Sequence, residues 1–199
     1  MISIFERGYL NAFKVTDGKL NEVRMTTKSF SEGRIYSSKT SVFLSHKHSD
    51  LEELKGLIGL FSKLYDVDIY IDSMDEKMPK KTSGETAKRI KEVIKKSDRF
   101  ILLATDDAVE SKWCNWELGY GDADKFDNDR IALFPMKERG VLDFQYKGNE
   151  YMQIYPFITY YDGSEKYTNG SYVERGYYVC HFNKDGIRVI TKLNDWLKS

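Results

Sequence analysis

Arg99-Phe100-Ile101-Leu102-Leu103-Ala104 is an apolar run of strand length, and Glu110-Ser111-Lys112-Trp113-Cys114-Asn115-Trp116-Glu117-Leu118-Gly119-Tyr120-Gly121 follows it closely. The first stretch is short and continuous, as a strand buried on both faces requires. The second begins after a brief connector bearing Asp and Ser, with Ser111 as a good N-cap, and predicts a helix rich in aromatics. At helical spacing Trp113, Trp116, Glu117 and Tyr120 share one face. That face is apolar except for a single carboxylate. A glutamate set among two indoles and a phenol is either a rim residue or a site residue, and this segment alone leaves both open.

The alternation extends outward from there. Ser41-Val42-Phe43-Leu44-Ser45 predicts a strand. After His46-Lys47-His48-Ser49-Asp50, the residues Leu51, Leu54, Leu57, Ile58, Phe61 and Leu64 recur with helical period, and Ser49 with Glu52 is spaced as a capping box. Val67 to Ile71 predicts a second strand, and Asp72 to Lys81 a long charged loop containing Pro79. The next helix turns Ala87, Ile90 and Ile94 inward, with Thr82 and Glu85 as a second capping box. Downstream, Arg130 to Pro135 is a further strand, Tyr151 to Tyr161 contains a fifth that Pro156 marks as an edge, and Tyr177 to Phe182 suits another. Ile187, Ile190, Leu193 and Leu197 are spaced for a closing helix.

Strict alternation of β and α predicts an α/β, flavodoxin-like doubly wound parallel sheet of five main strands, covered on both faces. The expected division is an N-terminal extension over 1–40, the main domain over 41–162, and a Tyr-rich strand and helix addition over 163–199. Within the extension, Phe5 to Val15 is expected to hold a short helix, Thr16-Asp17-Gly18 a turn and Ser29 to Thr40 a loop, with no chemistry. Ligands of such sheets bind beyond the carboxyl ends of the strands, where the strand order reverses. Ser45-His46, the Asp72–Lys81 loop and the start of the Trp/Glu helix all follow strand carboxyl ends, which gives the site an address.

Composition narrows the partners. The chain has 199 residues with 31 basic and 31 acidic side chains, so bulk charge points to no nucleic-acid surface. No apolar run reaches membrane-spanning length, and Met1 to Glu6 lacks the pattern of a signal peptide. Cys114 and Cys180 lie far apart and read as free thiols of a cytoplasmic protein. His46, His48 and His181 do not have zinc-ligand spacing, so no metal is expected.

Four of these segments together resemble the bacterial form of the TIR (Toll/interleukin-1 receptor) domain. They are Val42-Phe43-Leu44-Ser45-His46 before a helix with Asp50 near its start, the long loop after Ile71, Ile90 to Asp98 before the third strand, and Ser111-Lys112-Trp113-Cys114-Asn115-Trp116-Glu117-Leu118. The last matches the family's S-x-W-C-x-x-E-L signature and contains W-x-x-x-E, and the likeness covers roughly residues 41 to 162. Length, N-terminal extension and Tyr-rich tail are similar to the stand-alone TIR subunits of Thoeris anti-phage defence systems.

The resemblance implies cleavage of the nicotinamide–ribose bond of NAD⁺, with NAD⁺ as substrate and no cofactor. It implies a cyclic ADP-ribose-type signal that activates an NAD-consuming effector protein, TIR self-association, and Glu117 as the catalytic residue. Glu85, opening a helix at the same rim, is the rival carboxylate, although a capping role accounts for it fully. Ser45, His46, Asp72 and Trp113 are the candidate substrate-binding residues, and Lys80-Lys81 could meet the pyrophosphate. The plain alternatives are a turn hydroxyl for Ser45, solvated loop groups for His46, Asp72, Asp75 and the lysines, and core packing for Trp113. A non-enzymatic TIR assembly module is the competing function. A phospho-receiver needs an acidic pair where Ser45-His46 stands, and nucleoside deoxyribosyltransfer is a cousin chemistry on a similar fold.

Overall fold

Val42 to Ser45, Phe100 to Ala104 and Ile131 to Met136 are buried without a break, as central strands between two helical layers must be. The structure is a computed structural model that describes residues 4–32, 38–75, 83–141, 146 and 150–199. In chain order it contains β1 (Phe5–Glu6), α1 (Asp17–Ser31), β2 (Thr40–Ser45), α2 (Leu51–Leu64), β3 (Val67–Tyr70), α3 (Gly84–Lys96) and β4 (Arg99–Ala104). There follow α4 (Asp106–Val109), α5 (Lys112–Lys125), β5 (Ile131–Lys137), β6 (Phe157–Tyr161), β7 (Gly176–Phe182), β8 (Arg188–Lys192) and α6 (Leu193–Lys198).

The sheet order is β3-β2-β4-β5-β6-β7-β8, with β1 alongside the end of β5. From β3 to β6 the pairing is parallel, and β7 and β8 add on antiparallel. The order reverses between β2 and β4, which is where a doubly wound sheet opens a crevice. This is the expected flavodoxin-like arrangement. Strand alternation divides the core: Val42, Leu44, Ile101 and Leu103 face α1, α2 and α6, while Phe43, Phe100 and Leu102 face α3, α4 and α5.

The N-terminal segment departs from expectation. Tyr9–Phe13 is a 3-10 turn rather than a longer helix, and in place of the expected turn at Thr16-Asp17-Gly18 the fifteen-residue α1 begins at Asp17 and runs through Ser31, into the stretch expected to be loop. Among the residues of α1 whose side chains are described, only Leu20, Val23 and Thr27 are buried, a stripe too narrow to stand out in a polar sequence. The extension is also pressed close to the main domain. A Cβ on Gly59 would come within 1.7 Å of the Phe13 carbonyl oxygen, and one on Gly56 within 2.5 Å of the Leu10 Cβ. Two glycines on α2 therefore let the Tyr9–Phe13 turn lie against the helix backbone.

Three further readings change. Ile187 and Ile190 do not belong to a closing helix: Arg188–Lys192 forms β8, paired with β7 through a tight turn. Gly186 has φ 71° there, and Asn183 Oδ1 accepts from the backbone of Asp185 and Ile187. The β-branched run Val189-Ile190-Thr191 favours a strand, which leaves only Leu193–Lys198 helical. Pro156 does not mark an edge either; β6 lies between β5 and β7, and Pro156 sits just before it with its carbonyl accepting from Leu133 N at 2.8 Å. Finally, α2 has no Ser49–Glu52 capping box. Ser49 Oγ reaches Asp107 Oδ2 at 3.2 Å, and Glu52 pairs with Lys14 and Lys55.

Candidate active site

Helix α5 starts where expected, with Ser111 Oγ accepting from Cys114 N at 3.4 Å. Two turns in, Glu117 faces the sheet and is 1% exposed. Ser45 Oγ, at the end of β2, donates to its Oε2 at 2.5 Å, and its Oε1 has no hydrogen-bond partner among the described residues. Burial raises the Glu117 carboxyl well above the usual carboxylate range, and the charge of Asp72 raises it further, while the Ser45 hydroxyl and the Trp113 indole pull the other way. Glu117 is therefore not a solvated carboxylate on the helix surface.

The aromatic face divides. Trp113, Trp116 and Tyr120 form a half-buried ladder with ring centroids 5.0 and 6.2 Å apart, and Lys91 Nζ lies 5.7 and 5.0 Å from the Trp116 and Tyr120 rings. Lys91 comes from α3, so its cation–π contacts tie two helices on that face.

The segment after β3 supplies the opposite wall, and here the solvated-loop alternative fails. Asp72 and Asp75 are both buried. Asp75 Oδ2 accepts from the Tyr70 hydroxyl at 2.8 Å and from Arg89 Nε at 2.9 Å, which pins the chain as it leaves the sheet. His46 is 5% exposed rather than a solvated loop residue. Its Nδ1 lies 3.8 Å from Asp72 Oδ1, and its Nε2 meets Ser73 Oγ at 3.1 Å. Burial lowers the imidazole's proton affinity more than Asp72 restores it, so the ring is held neutral. The His46 and His48 rings are stacked 5.7 Å apart, and among the described residues no three His, Cys, Asp or Glu side chains are gathered to hold a metal ion.

Ser45, His46, Asp72 and Glu117 are thus brought together, with Trp113 beside them. Glu85 is not: it is exposed in the first turn of α3, whose cap is Ser83 paired reciprocally with Thr86. Thr82, Lys80 and Lys81 lie outside the described residues.

Sequence reasoning missed Arg7. Its guanidinium bonds the fully buried Asp50 at 2.8 Å and approaches Glu53 at 3.3 Å and Glu138 at 2.5 Å. Asp50 in turn accepts from Thr105 Oγ1 at 2.5 Å, and Thr105 caps α4 by accepting from Ala108 N. One carboxylate therefore ties the start of α2 to the loop that leads from β4 toward α5. No motif announces Arg7; only the need of a buried Asp50 for a cation hints at it. Ser73, exposed within a charged segment, carried no signal of its own. Cys114 and Cys180 are free and buried, which pushes both thiols up to about 11.

Chemically, the rim offers a carboxyl with one hydrogen-bonded and one unpartnered oxygen, in a low-dielectric wall, at the point where strand order reverses. Once ionised, such a group acts most strongly on a positive charge that forms beside it.

The TIR domain family model matches residues 42–163. The chain is 27% identical over 148 residues to the probable 3' cyclic ADP-D-ribose synthase ThsB' of Bacillus cereus (strain MSX-D12), covering 73% of this chain and 72% of that protein. It is 34% identical over 82 residues to the putative cyclic ADP-D-ribose synthase TIR2 of Cytobacillus dafuensis, covering 40% of this chain and 21% of that protein. Among the described residues no helix is long and apolar enough to cross a membrane.

Proposed function

The chain belongs to the TIR domain family, and from that premise we propose that it is an NAD⁺ glycohydrolase and cyclase of anti-phage defence. It breaks the nicotinamide–ribose bond and closes the remainder into a cyclic ADP-ribose signal that activates an NAD-consuming effector. The names of both relatives support the product class. The observation that carries the assignment is Glu117, buried, held by Ser45 and open at Oε1. An assembly module has no need of a carboxyl kept in so costly a place.

In the chemistry proposed for the site, the bond between C1″ of the ribose and N1 of nicotinamide breaks with its electron pair going to nicotinamide. The leaving group departs neutral, so it needs no acid. The demand falls on the ribosyl cation, whose oxocarbenium character is that of glycoside hydrolysis. Glu117 faces that cation, and the positive charge of bound substrate offsets the burial and the Asp72 charge that hold the carboxyl protonated. Trp113 shields the cation from water, while Ser45 fixes the carboxylate. Capture by an internal hydroxyl gives the cyclic product, and capture by water gives ADP-ribose. Buried free thiols suit the cytoplasm, where NAD⁺ is at hand.

The test is to incubate the purified chain with NAD⁺, with and without extract of phage-infected cells, and identify products by mass spectrometry. Nicotinamide with a cyclic ADP-ribose is the expected outcome in the triggered sample. Intact NAD⁺ in both, from a folded protein, would leave the assembly module as the function.

A further inference from the structure

His46 contributes more than packing. The residue is 5% exposed, and its Nε2 meets the surface through the exposed Ser73 hydroxyl at 3.1 Å. On the other side of the ring, Nδ1 has no hydrogen-bond partner among the described residues and faces Asp72 Oδ1 at 3.8 Å. The carboxylate favours the tautomer with its proton on Nδ1, which leaves the Nε2 lone pair to accept from Ser73. Hydroxyl, imidazole and carboxylate thus stand in series, the arrangement that activates a hydroxyl as a proton carrier. The Asp72 distance is loose, as such contacts often are before substrate binds.

We propose that Ser73 and His46 take up the proton released when a substrate hydroxyl closes the ring, with Asp72 as the positioning residue for the imidazole. The inference rests on the cyclase chemistry proposed above. As the C1″–nicotinamide bond breaks, a ribose hydroxyl at the adenosine end forms the new C–O bond to C1″. Its proton passes to Ser73 Oγ while the Ser73 proton passes to His46 Nε2. Nicotinamide takes the electron pair and leaves neutral, too weak a base to accept that proton. The imidazolium that forms lies beside Asp72 and returns its proton to water after release.

Water and the internal hydroxyl compete for the same cation, so a base dedicated to the hydroxyl shows itself in the product ratio. His46 is neutral in the resting protein and able to accept, with Asp72, Ser73, His48, the Leu44 backbone and Asp50 as the polar groups around it. A positioned base contributes about 10²–10⁴ in rate where proton transfer limits, so a loss of about tenfold in ring closure is a modest expectation.

The decisive variant is Ser73→Ala, because the Ser73 side chain is exposed, and the thermal melt checks that the fold survives loss of its contact with His46. The measurement is the ratio of cyclic to linear product in the triggered reaction, together with total nicotinamide and the thermal melt. Ser73→Ala and His46→Gln should lower the ratio about tenfold, Ser73→Thr should restore it, and Asp72→Asn should lower it in part. A ratio within twofold of wild type in folded Ser73→Ala overturns the relay, even if total turnover falls. A wild-type protein that releases no nicotinamide overturns the cyclase proposal itself. One that releases nicotinamide but yields only linear ADP-ribose overturns ring closure and the relay with it.

Discussion

Replacing Glu117 by Gln removes one charge and almost nothing else. The amide has the same shape and still accepts from Ser45 Oγ, which now stands 2.5 Å from Oε2. A carboxylate about 4 Å from a ribosyl cation, at an effective dielectric near 20, contributes about 4 kcal/mol, or roughly 10³ in rate. Stability should move the other way. The folded protein holds the Glu117 proton above the usual carboxylate range, so its ionisation destabilises the fold increasingly as pH rises from the unfolded value toward the folded one. Glutamine does not ionise, so the variant should be at least as stable as wild type, with the advantage growing over that interval. Nicotinamide release is to be followed across pH alongside thermal unfolding. Wild-type kcat/KM should climb with pH through the raised Glu117 ionisation, above the ordinary carboxylate range, and the Gln variant should lack this limb. A well-folded Gln variant within tenfold of wild-type turnover would refute the assignment, as would activity lost only in step with the fold.

Ser45→Ala withdraws the hydroxyl that favours the Glu117 anion; a hydrogen bond to a charged group is worth about 1.5–3 kcal/mol, so the acid limb should move up by about one unit or more. An unmoved limb in the pH profile of kcat/KM would separate Ser45 from Glu117. Arg7→Ala takes the guanidinium from the buried Asp50, whose carboxylate keeps its bond from Thr105. Because the guanidinium itself is 20% exposed, the expected loss is about 2–3 kcal/mol rather than the full value of a buried pair. Urea unfolding should show it, with part recovered by adding Asp50→Asn, and a loss under about 0.5 kcal/mol would mean that solvent replaces the guanidinium. Gly59→Ala should cost about 1–3 kcal/mol or more by forcing the Tyr9–Phe13 turn off α2, whereas Gly84→Ala, with open space around it, should not destabilise. Equal midpoints for the two alanine variants in a denaturant titration would contradict the close approach.

The order of apolar strands and periodic helices was enough to specify the layered fold and the address of the candidate site. Continuous apolar strands such as Phe100 to Leu103, alternating with periodic helices, admit little besides a parallel sheet covered on both faces. The position of Ser45, Asp72 and Glu117 just past strand ends, or on the helix that follows one, was legible from the same order of elements. Local rules also found the Ser111 cap, but they put the cap of α3 at Thr82 where the neighbouring Ser83 hydroxyl serves, and they gave α2 a capping box although its N-cap Asp50 makes no side-chain cap bond and turns its carboxylate to Arg7 and Thr105. They also extended the last helix through Arg188–Lys192, since Ile187, Ile190 and Leu193 satisfy a helical period whatever strand lies beside them.

Tertiary structure alone decided what each rim residue is. Whether Asp72 is solvated or buried, and whether Glu117 faces water or Ser45, depends on contacts between residues far apart in the chain. Ser45 and Glu117 are 72 positions apart, and Arg7 and Asp50 are 43. Protonation follows from those contacts: desolvation and neighbouring charge act through space, so the raised Glu117 and the neutral His46 have no signature in sequence. The same holds for Arg7 and for the glycines of α2, whose roles appear only once the extension folds back against the main domain.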